Sequence, residues 1–338
     1  PTDAASWEVT LREPARLAAL WQVMTSAYPE QVAQLREVIR AYRPDVLVVD
    51  SSLPETAVAA QLEGIPSVAI CGGLAILTPP GFQDSLAAYA PELEAGVSAS
   101  IRARFGVEVE LRGMQAISPF VNIAFTTDAF VPDAPPDIVL AGPSIPAGPR
   151  DDSSARFPWH RLRDDRPILY AATGTIIADR DLFRQLAAAS RDIGAQLVIS
   201  TARLQDDPFL ADLPGDVIAA GFVPQLELLA RVSAFVTHGG GNSVMESMYH
   251  GVPVLVVPYF ADQFVQAHMV DRAGAAAPGL SVRPERIAEI DLRATLEALL
   301  DRNGSASRNA RRVQASYRQH DGGRTCAERI VALAGVRG

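Results

Sequence analysis

Residues 222–225 read FVPQ, residues 237–246 read THGGGNSVME, and residues 251–263 read GVPVLVVPYFADQ. The first piece, with Gly221 ahead of it, closes a strand and opens a helix at Gln225. Ala234-Phe235-Val236-Thr237 reads as a buried strand that runs into His238-Gly239-Gly240-Gly241, with a helix expected from about Asn242-Ser243. A strand that points into a glycine-rich turn at a helix N-terminus presents unpaired backbone N–H groups to an anion. Glycines let the backbone approach that anion closely, and the helix dipole favours its negative charge. A diphosphate is the simplest anion that such a turn would take.

Around this stretch lies a chain of 338 residues, longer than one hydrophobic core usually supports, so two domains are the first expectation. With 48% apolar residues and alternating strand and helix patterns, the class is globular α/β. The net charge of −9 and the lack of a basic, aromatic-interleaved patch argue against nucleic acid. Cys71 and Cys326 lie far apart in sequence and read as buried free thiols of a reducing cytosol rather than a disulfide. Neither an apolar run of about 20 residues nor a signal peptide is seen, so a cytoplasmic location without a membrane span is expected. A homodimer remains compatible with the sequence.

Working outward, the first half reads as helix 31–42 stopped at Pro44, strand 46–49 ending in Asp50, helix 54–63 closed by Gly64, and strand 66–70. Residues 74–120 are less regular, with a helix expected around 84–104, and short strands follow at 121–125 and 138–140. Five prolines between Pro143 and Pro167 mark the interdomain linker. The second half is a cleaner doubly wound pattern. Strands are expected at 168–172, 196–200, 216–220, 234–237 and 253–257, as continuous apolar runs suited to strands buried on both faces. Helices are expected at 179–193, 225–231, 243–250, 262–273, 284–302, 305–319 and 323–334. The domain division is therefore 1–145, a linker 146–166, 167–320, and a last helical segment 321–338 that packs back on the first domain.

The run from Phe222 to Gln266 resembles the sugar-nucleotide donor motif of family 1 glycosyltransferases, and most closely the actinobacterial macrolide and natural-product type. That resemblance implies the GT-B fold, two facing Rossmann-like doubly wound domains, and dependence on a UDP- or TDP-sugar. It also implies an upstream strand, a glycine-containing loop with the catalytic histidine, and two further strands ahead of the counterpart of Asp50. The given chain begins Pro1-Thr2-Asp3 and shows no apolar strand before residue 44, so a few dozen preceding residues are expected.

The resemblance carries site roles onto particular residues. His238 would meet the diphosphate, the alternative being a core histidine at a strand end. Gly240, Gly241, Asn242 and Ser243 would supply donors to the phosphates. Glu246 would hold the ribose, although Ser243 to Glu246 also reads as an S-x-x-E capping box. Phe222 stands where relatives place a tryptophan that stacks on the base, and it is a smaller platform. Val223 belongs to the same loop. Gln225 would meet the pyrimidine edge or simply start a helix. Asp262 and Gln263 match the pair that binds the donor sugar's hydroxyls, though Asp262 could be an ordinary N-cap. Three residues after Gln263, where relatives usually have Asn, Gln266 stands. Thr173, Gly174 and Thr175 resemble the loop that reaches the β-phosphate. Asp50 matches the aspartate that orients the catalytic histidine, with capping of the next helix as its alternative. Acceptor contacts are expected from 74–120, with Leu86, Tyr89 and Phe120 as candidates.

Asp179-Arg180-Asp181 has the D-x-D form of metal-dependent glycosyltransferases, but it starts a helix, where acidic residues are favoured anyway. No nucleophile elbow, H-E-x-x-H, Walker A or G-x-G-x-x-G motif is present. No metal and no cofactor are expected, the nucleotide sugar being a co-substrate. The expected function is an inverting, metal-independent transfer of a sugar, such as a deoxysugar, from a TDP- or UDP-sugar to a hydroxyl of an apolar small-molecule acceptor. Two alternatives stay open: a catalytically silent donor-binding relative, and a GT-B-fold sugar-nucleotide epimerase.

Overall fold

The computed structural model describes residues 19, 22–23, 25–79, 82, 90–146, 148, 157–177, 179–259, 262–281 and 284–335. These form two compact units. Of the described residues, one holds those from 145 to 259 and from 266 to 319; the other holds those from 19 to 144, from 262 to 265, and from 320 to 335.

The first unit begins with helix α1 (Tyr28–Tyr42), which stops where Arg43 turns left-handed at φ 54° and its N–H bonds back to the Ile39 carbonyl at 2.8 Å. Strand β1 (Leu47–Asp50) follows, then α2 (Pro54–Glu63), β2 (Ser67–Cys71) and α3 (Ala90–Phe105). A hairpin of β3 (Leu111–Arg112) and β4 (Gln115–Ala116) comes next, its two-residue turn made by Gly113 and Met114, both at positive φ. Strands β5 (Val121–Ala124) and β6 (Ile138–Leu140) complete a four-stranded parallel sheet in the order β1-β2-β5-β6. Val68 and Ile123 of that sheet pack with Ala141 and Cys326. Cys326 comes from the last helix, Gly322–Gly335, so this segment belongs to the first unit. Both cysteines are free and buried.

The second unit holds β7 (Ile168–Ala172), α4 (Arg180–Asp192), β8 (Gln196–Ser200), β9 (Val217–Ala220), α5 (Gln225–Leu229) and β10 (Ala234–Thr237). It continues with α6 (Gly241–His250), β11 (Val254–Val256), α7 (Gln263–Ala273, mostly in this unit), β12 (Ala276–Ser281), α8 (Leu292–Leu300) and α9 (Ser305–Tyr317); α10 (Gly322–Gly335) closes the chain. Every described pairing in its sheet is parallel, and the order is β12-β11-β10-β7-β8-β9. Counted from β7, that is the doubly wound order 3-2-1-4-5-6, whose direction reverses between β7 and β10. The strands at this reversal are apolar and buried along their whole length, as a parallel sheet covered on both faces requires.

Three differences from the sequence reading have local causes. Strand β12 was not anticipated, because Ala-Ala-Pro-Gly lacks an apolar run; it sits at the sheet edge, where a proline costs no ladder bond. The expected helix 284–302 is broken: Asp291 caps a new helix by accepting from the Ala294 N–H at 3.0 Å, leaving only a short 3₁₀ turn before it. Within the expected linker, Phe157 is buried, and the Gln196 amide bonds both the Arg161 carbonyl and the Arg163 N–H, which docks 157–166 on the second unit.

Candidate active site

In an open parallel sheet, ligands bind outside the carboxyl ends of the strands where the order reverses. Here that point lies between the turn after β7, Thr173-Gly174-Thr175, and the turn after β10, His238-Gly239-Gly240. Thr173 is buried and its hydroxyl donates to the Ile177 carbonyl at 2.9 Å, closing the turn on itself. Gly174 stands at φ 81°, a conformation that side chains strain to adopt, and Thr175 is exposed.

His238 sits between the two turns. A Cβ at Gly174 would lie 2.9 Å from its Nε2, and one at Gly240 would lie 2.6 Å away. Both glycines are therefore needed for the imidazole to stand where it does. Burial drives its pKa down to about 4, so the ring is neutral at pH 7. Its Nδ1 is buried without a hydrogen-bond partner. A hydrogen bond to the Ala172 backbone opposes that shift, and an anion arriving beside the helix N-terminus would favour protonation of the ring, which makes both nitrogens donors.

The helix beyond begins at Gly241, with Gly240 as N-cap at φ −61° and ψ 140° and no capping side chain. This corrects the capping-box alternative. The glycines let the helix start two residues earlier than expected, which places Ser243 inside the first turn rather than at its N-cap. Glu246 instead turns inward, fully buried, and accepts from Gln225 Nε2 at 2.8 Å. Gln225 Nε2 also lies 3.3 Å from Ser243 Oγ, and its Oε1 accepts from the Tyr170 hydroxyl at 3.2 Å. So Gln225, Ser243 and Glu246 are brought together. On the loop that leads to Gln225, Val223 is buried and Phe222 is 57% exposed, and in the first turn of α6 Asn242 is exposed.

Two interactions had no signal in the sequence. Tyr170, in the middle of β7, looks like any core aromatic until its hydroxyl is placed against Gln225. Asp179, read as a helix cap, does accept from the Leu182 N–H at 2.9 Å, and its other oxygen takes the Tyr259 hydroxyl at 2.7 Å.

The remaining candidates lie in the first unit. Asp50 ends β1, exposed, and its Oδ1 accepts from the Ser52 N–H at 2.9 Å and the Ser52 hydroxyl at 2.7 Å. The next helix has Leu53 as N-cap, so Asp50 does not cap it; three residues separate Asp50 from the first turn. Asp262 and Gln263 are described with this unit, Asp262 packed over Gly73, where a Cβ would meet its carboxylate. Burial raises the Asp262 carboxyl to about 6. Phe120 is exposed at the amino end of β5, the opposite edge of the parallel sheet from Asp50, so the two are not brought together. Leu86 and Tyr89 lie outside the described residues. Among the described residues no group of three or more His, Cys, Asp or Glu is arranged to hold a metal ion, and no helix is long and apolar enough to cross a membrane.

Comparison with known proteins covers the part of the chain that holds this turn. Residues 158–320 match the family model described as UDP-glucoronosyl and UDP-glucosyl transferase. An uncharacterized UDP-glucosyltransferase YojK of Bacillus subtilis is 33% identical over 217 residues, covering 62% of this chain and 51% of that protein. The oleandomycin glycosyltransferase of Streptomyces antibioticus is 31% identical over 176 residues, covering 52% of this chain and 40% of that protein. The chain thus spans about half the length of these curated relatives or less. The crystal structure of CalG4, the calicheamicin glycosyltransferase, superposes with a TM-score of 0.71 at 23% identity, covering 95% of this chain and 84% of that one. That likeness shows the fold, which is GT-B with two Rossmann-like parts. Residues 158–320, which carry the reversal point of the second sheet and the His238 turn, are thus the part of the chain that is similar to the UDP-glucoronosyl and UDP-glucosyl transferase family.

Proposed function

We propose that the protein is an inverting, metal-independent glycosyltransferase that moves a sugar from a TDP- or UDP-sugar to a hydroxyl of an apolar small-molecule natural product. The observation that carries this reading is His238, held neutral between Gly174 and Gly240 at the reversal point of a doubly wound sheet. Transfer by displacement needs a leaving group whose charge is met as it develops. His238, the N–H groups at the start of α6 and the Thr173–Thr175 turn would meet the departing diphosphate. Phe222 would stack on the base, with the inward-turned Glu246 holding Gln225 behind it, while Asp262 and Gln263 are assigned to the hydroxyls of the donor sugar. The acceptor's proton would go to a histidine oriented by Asp50, whose exposed carboxylate stands at the carboxyl end of its strand. The relatives' names, a UDP-glucosyltransferase and an oleandomycin glycosyltransferase, support both the donor class and an apolar natural product as acceptor.

Thermal shift against a panel of UDP- and TDP-sugars tests the donor half, and product formation with apolar hydroxylated acceptors tests the transfer. Stabilisation by at least one nucleotide sugar, together with turnover, is expected. Stabilisation without turnover on any acceptor would favour a silent donor-binding relative, and no stabilisation by any donor would refute the reading.

A further inference from the structure

Three loops leave the carboxyl ends of β7, β10 and β11, which are neighbours in the sheet in the order β11-β10-β7. Backbone bonds hold them as far as the strands run. The His238 N–H donates to the Ala172 carbonyl of β7 at 3.3 Å, and the Val257 N–H, just past β11, donates to the Thr237 carbonyl at 2.8 Å. Two residues beyond Val257, the buried Tyr259 donates its hydroxyl to Asp179 Oδ2 at 2.7 Å. Strand β10 lies between the two strands that these residues follow, so the bond reaches across the end of the strand that runs into His238. The other oxygen of Asp179 accepts from the Leu182 N–H at 2.9 Å, which caps α4. The Thr173–Ile177 turn is therefore held at both ends. Strand β7 holds it in front, and two residues behind it stands a carboxylate anchored both to α4 and to the β11 loop. The turn's own bond, from the Thr173 hydroxyl to the Ile177 carbonyl, sets its shape but not its distance from His238. Donors fixed before a charge arrives cost no reorganisation when it does.

We propose that Tyr259 is a positioning residue of the donor site. Through Asp179 it holds the Thr173–Ile177 turn at a fixed distance from the His238 turn, so that both meet the diphosphate without rearrangement. This rests on the reading that the second unit binds a nucleoside diphosphate. Without the bond the ligand itself would have to order the turn, and fixing the backbone of one residue corresponds to about tenfold in affinity.

The test is titration calorimetry of the full chain with TDP and with inorganic pyrophosphate, well below the unfolding temperature of each variant. Tyr259→Phe keeps the ring and loses the bond, so both ligands should bind about tenfold more weakly. Serine and asparagine cap a helix about as well as aspartate, and both remove its charge. They differ in reach: the asparagine amide can accept from the Leu182 N–H and donate to the Tyr259 oxygen, whereas serine has a single, nearer oxygen. Asp179→Ser should therefore lose about tenfold, and Asp179→Asn should recover most of that loss. The double variant Tyr259→Phe/Asp179→Ser should bind no more than about twofold more weakly than either single one, because one bond is removed in all three. A purely structural role would lower the unfolding temperature and leave affinity within about twofold of the parent, and that result overturns the proposal. Additive losses in the double variant, or equal losses for serine and asparagine, overturn it too, yet leave diphosphate binding standing. A parent that binds neither ligand removes the reading beneath it as well. If Tyr259→Phe folds poorly, the serine and asparagine pair alone decides the matter.

Discussion

Gly240→Ala isolates the placement of His238 from everything else in the donor turn. The backbone at Gly240, φ −61° and ψ 140°, is one that alanine adopts without strain. The added methyl meets one obstacle: its carbon would lie 2.6 Å from His238 Nε2 and 2.9 Å from Cε1, against the 3.4 Å at which ordinary contact begins. The imidazole must therefore retreat by about 0.8 Å, or the turn must open by as much. Overpacking of this kind costs about 1–3 kcal/mol of stability. A hydrogen bond to a charged phosphate is worth about 1.5–3 kcal/mol, and a shift of nearly 1 Å forfeits much of it. Affinity for the nucleotide sugar should fall roughly 10- to 100-fold, read by calorimetry beside thermal unfolding of the same samples. The double variant His238→Ala/Gly240→Ala removes the obstacle, so it should recover stability relative to Gly240→Ala while binding no more weakly than His238→Ala alone. A Gly240→Ala protein that binds donor within twofold of the parent would refute the placement of Nε2 against the phosphate.

Acid sensitivity should trace to buried histidine. His238 is depressed by burial from its ordinary 6.5 to about 4, so the unfolded chain binds the proton first as pH falls. Its contribution is whole above about 6.5 and is lost between 6.5 and 4, up to roughly 3 kcal/mol. His250, lowered by burial and by Arg318, acts in the same direction, whereas Asp262, raised by burial, loses stability as pH climbs from about 4 through 6. Urea titrations at stepped pH should show a shallower acid slope in His238→Ala, and parallel slopes would contradict the assignment. Phe222→Ala, at an exposed position, should leave folding within about 0.5 kcal/mol and weaken nucleotide binding by about 1–3 kcal/mol while sparing pyrophosphate; equal losses for both ligands would rule out base stacking. Asp50→Asn keeps an oxygen for the Ser52 N–H, so stability should change by less than about 1 kcal/mol. Turnover should nonetheless drop by orders of magnitude at normal donor affinity, and a variant that turns over at the parent rate would leave Asp50 a turn residue only.

What the sequence discloses follows from how local each signal is. The strands Ile168–Ala172 and Ala234–Thr237 are legible because a strand buried on both faces must be apolar throughout. The His238 turn is legible because its glycines are contiguous, whereas Gly174, the other glycine that leaves room for the ring, lies in a separate turn. Glu246 shows where such reading stops. Its spacing from Ser243 fits a cap, but whether Ser243 is the N-cap depends on where the glycines let the helix begin. Tyr170 is further from reach, since its hydroxyl acquires a role only from Gln225, 55 residues away. The hairpin at 111–116 rests on Gly113 and Met114, which carry no apolar alternation. Phe120 stands at the far edge of its sheet because the strand begins directly after it, a matter of direction that composition does not encode.

The central claim, that the His238 turn of the second unit receives a donor diphosphate, is tested most directly by a crystal structure of the protein with thymidine diphosphate. The diphosphate should lie at the N-terminus of Gly241–His250, with a phosphate oxygen about 3 Å from an imidazole nitrogen of His238 and the thymine ring over Phe222. A diphosphate bound elsewhere, with the space between Gly174 and Gly240 left to the unaltered imidazole, would contradict the account.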